Sequence, residues 1–198
     1  TIWKQLLIFF FPILVGTFFQ QLYNTVDAVI VGQFAGKEAL SSVGGSSSQI
    51  INFVVGFFTG LSAGATVIIS QFYGANDANK IHRALHTAYA FSIVGGIIAG
   101  IIGIALTVPV MKLMNTPVEL MHDSAMYVMI YFGGLVFIFV YNMGSAILRA
   151  IGDSKRPLYY LIICCFINIV LDIVFVSVLK LGVLGVAVAT FISQLVSA

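Results

Sequence analysis

The sequence predicts an all-α, polytopic membrane protein, a bundle of six transmembrane helices, and three observations carry that reading. Of the 198 residues, 60% are hydrophobic and 8% are charged, against about 25% charged in an ordinary soluble domain. Nine basic and seven acidic residues cannot cover the surface of a water-soluble fold of this length. The charges are also spaced so that six apolar stretches lie between them, each near the ~20 residues that cross a bilayer. Finally, those stretches are continuous, where barrel strands would alternate apolar and polar residues over about ten positions. Seventeen Phe, four Pro and a mean hydropathy of +1.09 exclude a disordered or collagen-like chain.

The first predicted helix covers residues 6–34 and contains Pro12 and the lone acid Asp27. Proline removes a backbone hydrogen bond and favours a bend, so Pro12 is a candidate hinge, or else a static kink. The second, 45–72, is free of charge and carries Gly56, Gly60 and Gly64 at four-residue spacing, expected to form a close-packing face between helices. The third, 87–110, has a similar run at Gly95, Gly96, Gly100 and Gly103. The fourth spans 124–148. The fifth, 158–179, contains Asp172 and the adjacent Cys164 and Cys165, which point about 100° apart on a helix and so do not pair with each other. The sixth, 181–198, is still apolar where the sequence stops and reads as a truncated span. Turn-forming residues separate these stretches at Gly74–Asp77, Asn115–Pro117, Gly152–Ser154 and Lys180–Gly182.

Lys4, Lys80, Arg83, Arg149, Lys155 and Arg156 fall on the side of the N-terminus; Lys37, Lys112 and Lys180 fall on the other. The excess of basic residues predicts a cytoplasmic N-terminus in a multi-pass protein of the cell membrane. An even number of helices would let a second six-helix unit follow in the same orientation. The scattered basic residues form no stripe for nucleic acid. No phosphate loop, nucleophile elbow or His-Glu-x-x-His pair is present, so the sequence is not read as an enzyme, and no cofactor is expected beyond a coupling ion. His82 and His86 have metal-binding spacing but nothing nearby to complete a ligand set. The six methionines suit either core packing or a cavity for greasy cargo.

An Asp near the middle of a spanning helix costs roughly 2.5–3.5 kcal/mol on insertion scales, which marks Asp27 and Asp172 as functional candidates. Counting 1.5 Å per residue from the far ends of their helices puts Asp27 ~10 Å, Asp172 ~12 Å and Thr190 ~15 Å below the same surface. Asn168 stands one turn before Asp172 on its face, while Gln20, Tyr23 and Asn24 extend the Asp27 stripe. Two carboxylates, amides and a hydroxyl offer the hard oxygens that Na⁺ accepts, and two crowded acids also suit a held proton. The plainer alternative is that each Asp hydrogen-bonds a neighbouring helix or reaches the outer interface, with Gln20, Tyr23 and Asn24 as interhelical glue.

Several stretches carry a family resemblance. "PILVGTFFQQLYNTVDAVIVGQFAG", "SQFYGANDANKIHRALHTA", "LRAIGDSKRP" and above all "NIVLDIVFVSVLKLGVLGVAVAT" resemble the multidrug and toxic compound extrusion (MATE) transporters, and the match runs through the whole chain. The resemblance implies the N-terminal six-helix lobe of a twelve-helix antiporter that exchanges Na⁺ or H⁺ for organic, often cationic, drugs. It places Asp27, Asn168, Asp172 and Thr190 on the family's cation site, as possible Na⁺ ligands, and Pro12 on its bending proline. The expected partners are membrane lipid, a small organic cation and the absent C-terminal lobe. Two other readings are a lipid-linked oligosaccharide flippase of the same superfamily, which would need basic residues in its central cavity, and a non-transporting membrane scaffold subunit.

Overall fold

A computed structural model describes residues 2–198, without the side chains of residues 2 and 5. All regular structure among them is helical. The first span is α1 (Ile2–Ile30), which loosens into a π-helical stretch (Val31–Ala35) and continues as α2 (Gly36–Gly44). The helical path therefore runs beyond residue 34, where a loop is expected. Lys37 and Glu38 interrupt the hydropathy there, yet both are good helix formers, and the π turn absorbs the change of register. Ser124 Oγ donates to the Ser42 carbonyl at 3.1 Å, and Thr116 Oγ1 bonds Ser46 Oγ at 3.0 Å, tying this end to the fourth span.

Helix α3 (Ser46–Gly74) follows after a one-residue break, and α4 (Ala78–Leu113) starts well before residue 87. The extra turns carry Lys80, His82, Arg83 and His86, which remove the hydropathy signal without opposing helix. Asp77 caps them: its carboxylate accepts from the Lys80 N–H at 3.1 Å and pairs with Lys80 Nζ at 3.0 Å. The His82 and His86 ring nitrogens lie 3.2 Å apart on the exposed face, and no group of three His, Cys, Asp or Glu side chains that could complete a metal site occurs among the described residues.

The fourth span is two helices, not one. Helices α5 (Val118–Gly133) and α6 (Leu135–Ala150) meet at 49°. Gly133 and Gly134 sit at the break, where paired glycines weaken the helical ladder. Helix α7 (Lys155–Asp172) passes into a second π-helical stretch, Ile173–Val178, and α8 (Gly182–Ser197) closes the bundle. Asp153 caps α7, accepting from the Lys155 and Arg156 N–H groups at 3.1 Å each.

Four helical stretches, 6–44, 46–74, 78–113 and 155–178, are long and apolar enough to cross a membrane, and the bent α5–α6 pair makes a fifth. At 16 residues α8 is about 24 Å long. It is also the most enclosed: Val183, Gly185, Val186, Ala187, Ala189, Thr190 and Ser193 are all buried. It packs on α5, α6, α7 and both π stretches. Around it α1 lies on α7, and α4 lies on α5 and α6. The protein is a multi-pass helical membrane protein.

The two glycine rows do different things. On α4, a Cβ at Gly96 would stand 2.7 Å from the Val136 backbone, and one at Gly100 2.8 Å from the Phe132 carbonyl oxygen, so these glycines let α4 close on the kinked span. The row on α3 does not pack as expected: Gly56, Gly60 and Gly64 have nothing within 4 Å of where a Cβ would be. They line an open face of the lobe. Met111 and Met143 are buried in core clusters, with Met121 and Met126 packed against one of them.

Candidate functional site

The two acids of the membrane spans meet. Each stands beside a π-helical stretch: Asp27 lies four residues before Val31, and Asp172 is the last residue of α7 before Ile173. Single π turns are frequent at functional sites because they re-aim side chains that a regular ladder would space evenly. The two stretches touch each other in the folded lobe, which brings span one and span five together at the level of their carboxylates.

Asn168 joins them. With its amide nitrogen facing the acids, it donates to Asp27 Oδ1 at 3.3 Å and to Asp172 Oδ2 at 3.1 Å. The other end of the amide lies 3.4 Å from Ser193 Oγ, and Ser193 Oγ in turn donates to the Thr190 carbonyl at 2.9 Å. Both carboxyl groups therefore stand at one amide nitrogen. One asparagine thus links spans one and five, and its other end lies against span six. Asn168 and Asp172 are 0% and 1% exposed and Thr190 is 2% exposed, so water does not take the place of a missing partner.

Two oxygens in this cluster are unspent: Asp172 Oδ1 and Thr190 Oγ1 are buried without a hydrogen-bond partner. A buried oxygen left so is costly unless something else meets it. Both are hard oxygens, as are those of the Asp27 carboxylate, and Na⁺ is held by oxygens of this kind, while two neighbouring carboxyls are a natural place for one shared proton. The donor set fits either ion.

The remaining candidates divide. Tyr23 lies near both acids, together with Tyr127 of α5, and the Tyr131 ring follows 6.5 Å beyond that of Tyr127. Gln20 and Asn24 are exposed on α1 and are not drawn into the cluster; Asn24 reaches only Gln21 Oε1, at 3.4 Å. Pro12 is buried inside α1, whose helix continues through it without interruption. Four residues on, Leu161 and Leu158 of α7 come within 3.6 and 3.7 Å of where a Gly16 Cβ would be. Both cysteines are free; Cys164 Sγ donates to the Ser193 carbonyl at 3.3 Å.

Sequence reasoning missed Ser193, Tyr127 and Tyr131. Ser193 is three residues after Thr190 and shares its face, a signal that was legible. Nothing in the fourth stretch singles out Tyr127. A further signal is internal: Asp27-x-Val29-x-Val31-Gly32 is repeated as Asp172-x-Val174-x-Val176-Ser177. In both copies the second valine is 1% exposed and in the core. The same local pattern therefore buries the same position and presents the same acid in two spans.

The MatE family model matches residues 12–174, a stretch that contains Asp27, Asn168 and Asp172. The chain belongs to the MatE family. It is 32% identical over 199 residues to the "Probable multidrug resistance protein YoeA" of Bacillus subtilis (strain 168), covering 98% of this chain and 43% of that protein. It is also 24% identical to the "Multidrug export protein MepA" of Staphylococcus aureus, over 100% of this chain and 44% of the relative. A solved structure described as "Outward-facing conformation of a multidrug resistance MATE family transporter of the MOP superfamily" superimposes with a TM-score of 0.89 at 27% identity, covering 98% of this chain and 43% of that one. This MatE chain spans less than half the length of the relatives it matches.

Proposed function

We propose that this lobe holds the ion-coupling site of a cation-coupled multidrug antiporter, in which Asp27, Asn168, Asp172 and Thr190 take up H⁺ or Na⁺ in alternation with an organic, often cationic, cargo. The observation that supports this most is the bridge from Asn168 to both carboxylates beside two unspent oxygens. A site that binds and releases an ion needs convergent oxygens and a structure able to respond, and the π-helical stretches beside each acid are the elements whose ladder is easiest to rearrange. Ion and drug each lower the other's affinity, by about 1–3 kcal/mol if the coupling is of ordinary size. In this reading a second six-helix lobe, related by a pseudo-two-fold axis along the membrane normal, completes the cargo cleft, and the N-terminus faces the cytoplasm of a cell-membrane protein.

The flippase reading asks for basic groups in a central cavity. Among the described residues the basic side chains that line cavities, Lys80, Arg83, Arg149 and Lys155, all stand in the end turns of their helices, away from the acids. The acids and their unspent oxygens suit a cation-coupled antiporter better than a carrier of anionic lipid. The test is dye efflux by the full-length protein under separate Na⁺ and H⁺ gradients. Efflux in the wild type collapses with one of the two gradients, and D27N abolishes it. A D27N protein that effluxes normally overturns the proposal and favours a scaffold role.

A further inference from the structure

A second polar cluster lies at the other end of the lobe. Between α1, α3 and α6 is a cavity of about 290 Å³ lined by Phe9, Thr59, Ser62, Thr66, Asn142 and Arg149. Its polar groups are unequal. The Thr59, Ser62 and Thr66 hydroxyls donate to the carbonyls one turn back, at 2.8, 3.0 and 3.0 Å. Their protons are spent, so they offer the cavity lone pairs only. Asn142 and Arg149 are seven residues apart on one face of α6, both half-buried. Neither side chain has a hydrogen-bond or ion-pair partner among the described residues, where the only ion pairs are Lys80–Asp77 and Arg156–Asp153. A half-buried guanidinium with no anion is a group waiting for one: its five donors match a phosphate or carboxylate geometrically.

The walls narrow the choice. A plain anion would use Arg149 and the Asn142 amide and leave three hydroxyl oxygens facing it with lone pairs, which repel it. A ligand with an anionic end and hydroxyls of its own satisfies both parts. At about 290 Å³ the cavity is at the small end of ligand sites, sized for a headgroup more than for a drug. It lies against the last turn of α6, and it shares Phe9 with an adjoining cavity of about 370 Å³ lined by Ile8, Gly152, Ser154, Lys155 and Asp153, whose carboxylate is paired with Arg156. That is the edge of the spans, where bilayer phosphates lie. The neighbouring Leu6, Leu7, Phe10 and Phe11 of α1 are exposed apolar side chains beside it.

From these features we infer that the Asn142–Arg149 cavity binds the phosphate of a hydroxyl-bearing anionic lipid headgroup, of the phosphoglycerol type, drawn from the leaflet at the N-terminal end of α1. Arg149 holds the phosphate, Asn142 donates to a phosphate or hydroxyl oxygen, and Thr59, Ser62 and Thr66 accept from the glycerol hydroxyls. Lys155 at the neighbouring rim adds long-range attraction.

The test is retention of short-chain phosphatidylglycerol against phosphatidylcholine by the purified full-length protein, read by native mass spectrometry and by the shift in Tm on lipid addition. Wild type prefers phosphatidylglycerol. R149Q weakens that binding about tenfold, as loss of a charge-assisted bond to a buried anion does; R149K keeps part of it, and the control R156Q, at an exposed arginine that lines neither cavity, stays within about twofold. N142D separates binding from folding, because Asp is isosteric with Asn and holds Tm without lipid, while a carboxylate facing the cavity repels phosphate. Displacement of the lipid by an equal concentration of glycerol phosphate supports the chemistry and reassigns the source to a soluble phosphate ester. Equal retention of both lipids by wild type, or unchanged phosphatidylglycerol binding in R149Q and N142D, overturns the inference.

Discussion

The closed side of the lobe and its open side are built from the same residue types and use them in opposite ways. On the closed side α4 glycines press against the Phe132 and Val136 backbone, and the polar side chains of spans one, five and six aim at one another. On the open side the α3 glycines touch nothing, and Gln20 and Asn24 on α1 and Asn52 on α3 are exposed on helices that lie at membrane depth. Polar groups and bare glycine backbone are poorly suited to lipid tails. The closed side is finished by this chain; the open side has the character of a surface that meets protein or water, and the relatives' greater length is consistent with a second lobe there.

That contrast breaks first at the acids. D172N keeps an amide oxygen to accept from Asn168 but removes one of the two carboxylates. Efflux by the full-length protein falls to background while expression and gel-filtration profile persist, measured as dye retention in cells. Packing comes next. G100L drives a side chain into the Phe132 carbonyl, and overpacking of this kind costs about 1–3 kcal/mol or more, seen as a lower Tm in detergent. G60L meets no atom of this lobe and leaves its packing unchanged, yet lowers efflux if the open face meets a second lobe. Equal effects of G100L and G60L on Tm would erase the distinction between the sides. Smaller still is D153A, which removes the α7 cap and costs about 1 kcal/mol.

The faintest effect is at Asp77, outside the membrane. Lys80, through its ammonium and its backbone N–H, holds the Asp77 carboxyl below the usual carboxylate range. A depressed carboxyl stabilises the fold above its unfolded value of about pH 4. The contribution is lost as pH falls through the lower folded value, so D77N shows a shallower loss of Tm on acidification than wild type.

Most of the architecture was legible in the sequence because lipid demands long uncharged runs, and six of them stand out. The ends were less so. Residues 35–44 and 78–86 are helical but charged, and hydropathy follows the bilayer, not the backbone. The α5–α6 break has a sequence signal, Gly133-Gly134, but glycine pairs are common enough in membrane helices that packing decides which ones bend. At the site, Asp27, Asn168 and Asp172 announced themselves by their insertion cost and their spacing. Tyr127 did not, since only the folded bundle brings α5 beside the acids. The α3 glycines were misread because a small-residue row says that something approaches closely and not what.

Ion uptake by the purified full-length protein tests the account at its centre. Titrating Na⁺ at fixed pH, and H⁺ at fixed Na⁺, measures the ions bound per protein. The account predicts saturable uptake of one of the two by wild type, lost in D27N and D172N and weakened in N168A, with the bound ion released on addition of drug. The same ion uptake by wild type and D27N/D172N, undisturbed by drug, would contradict it.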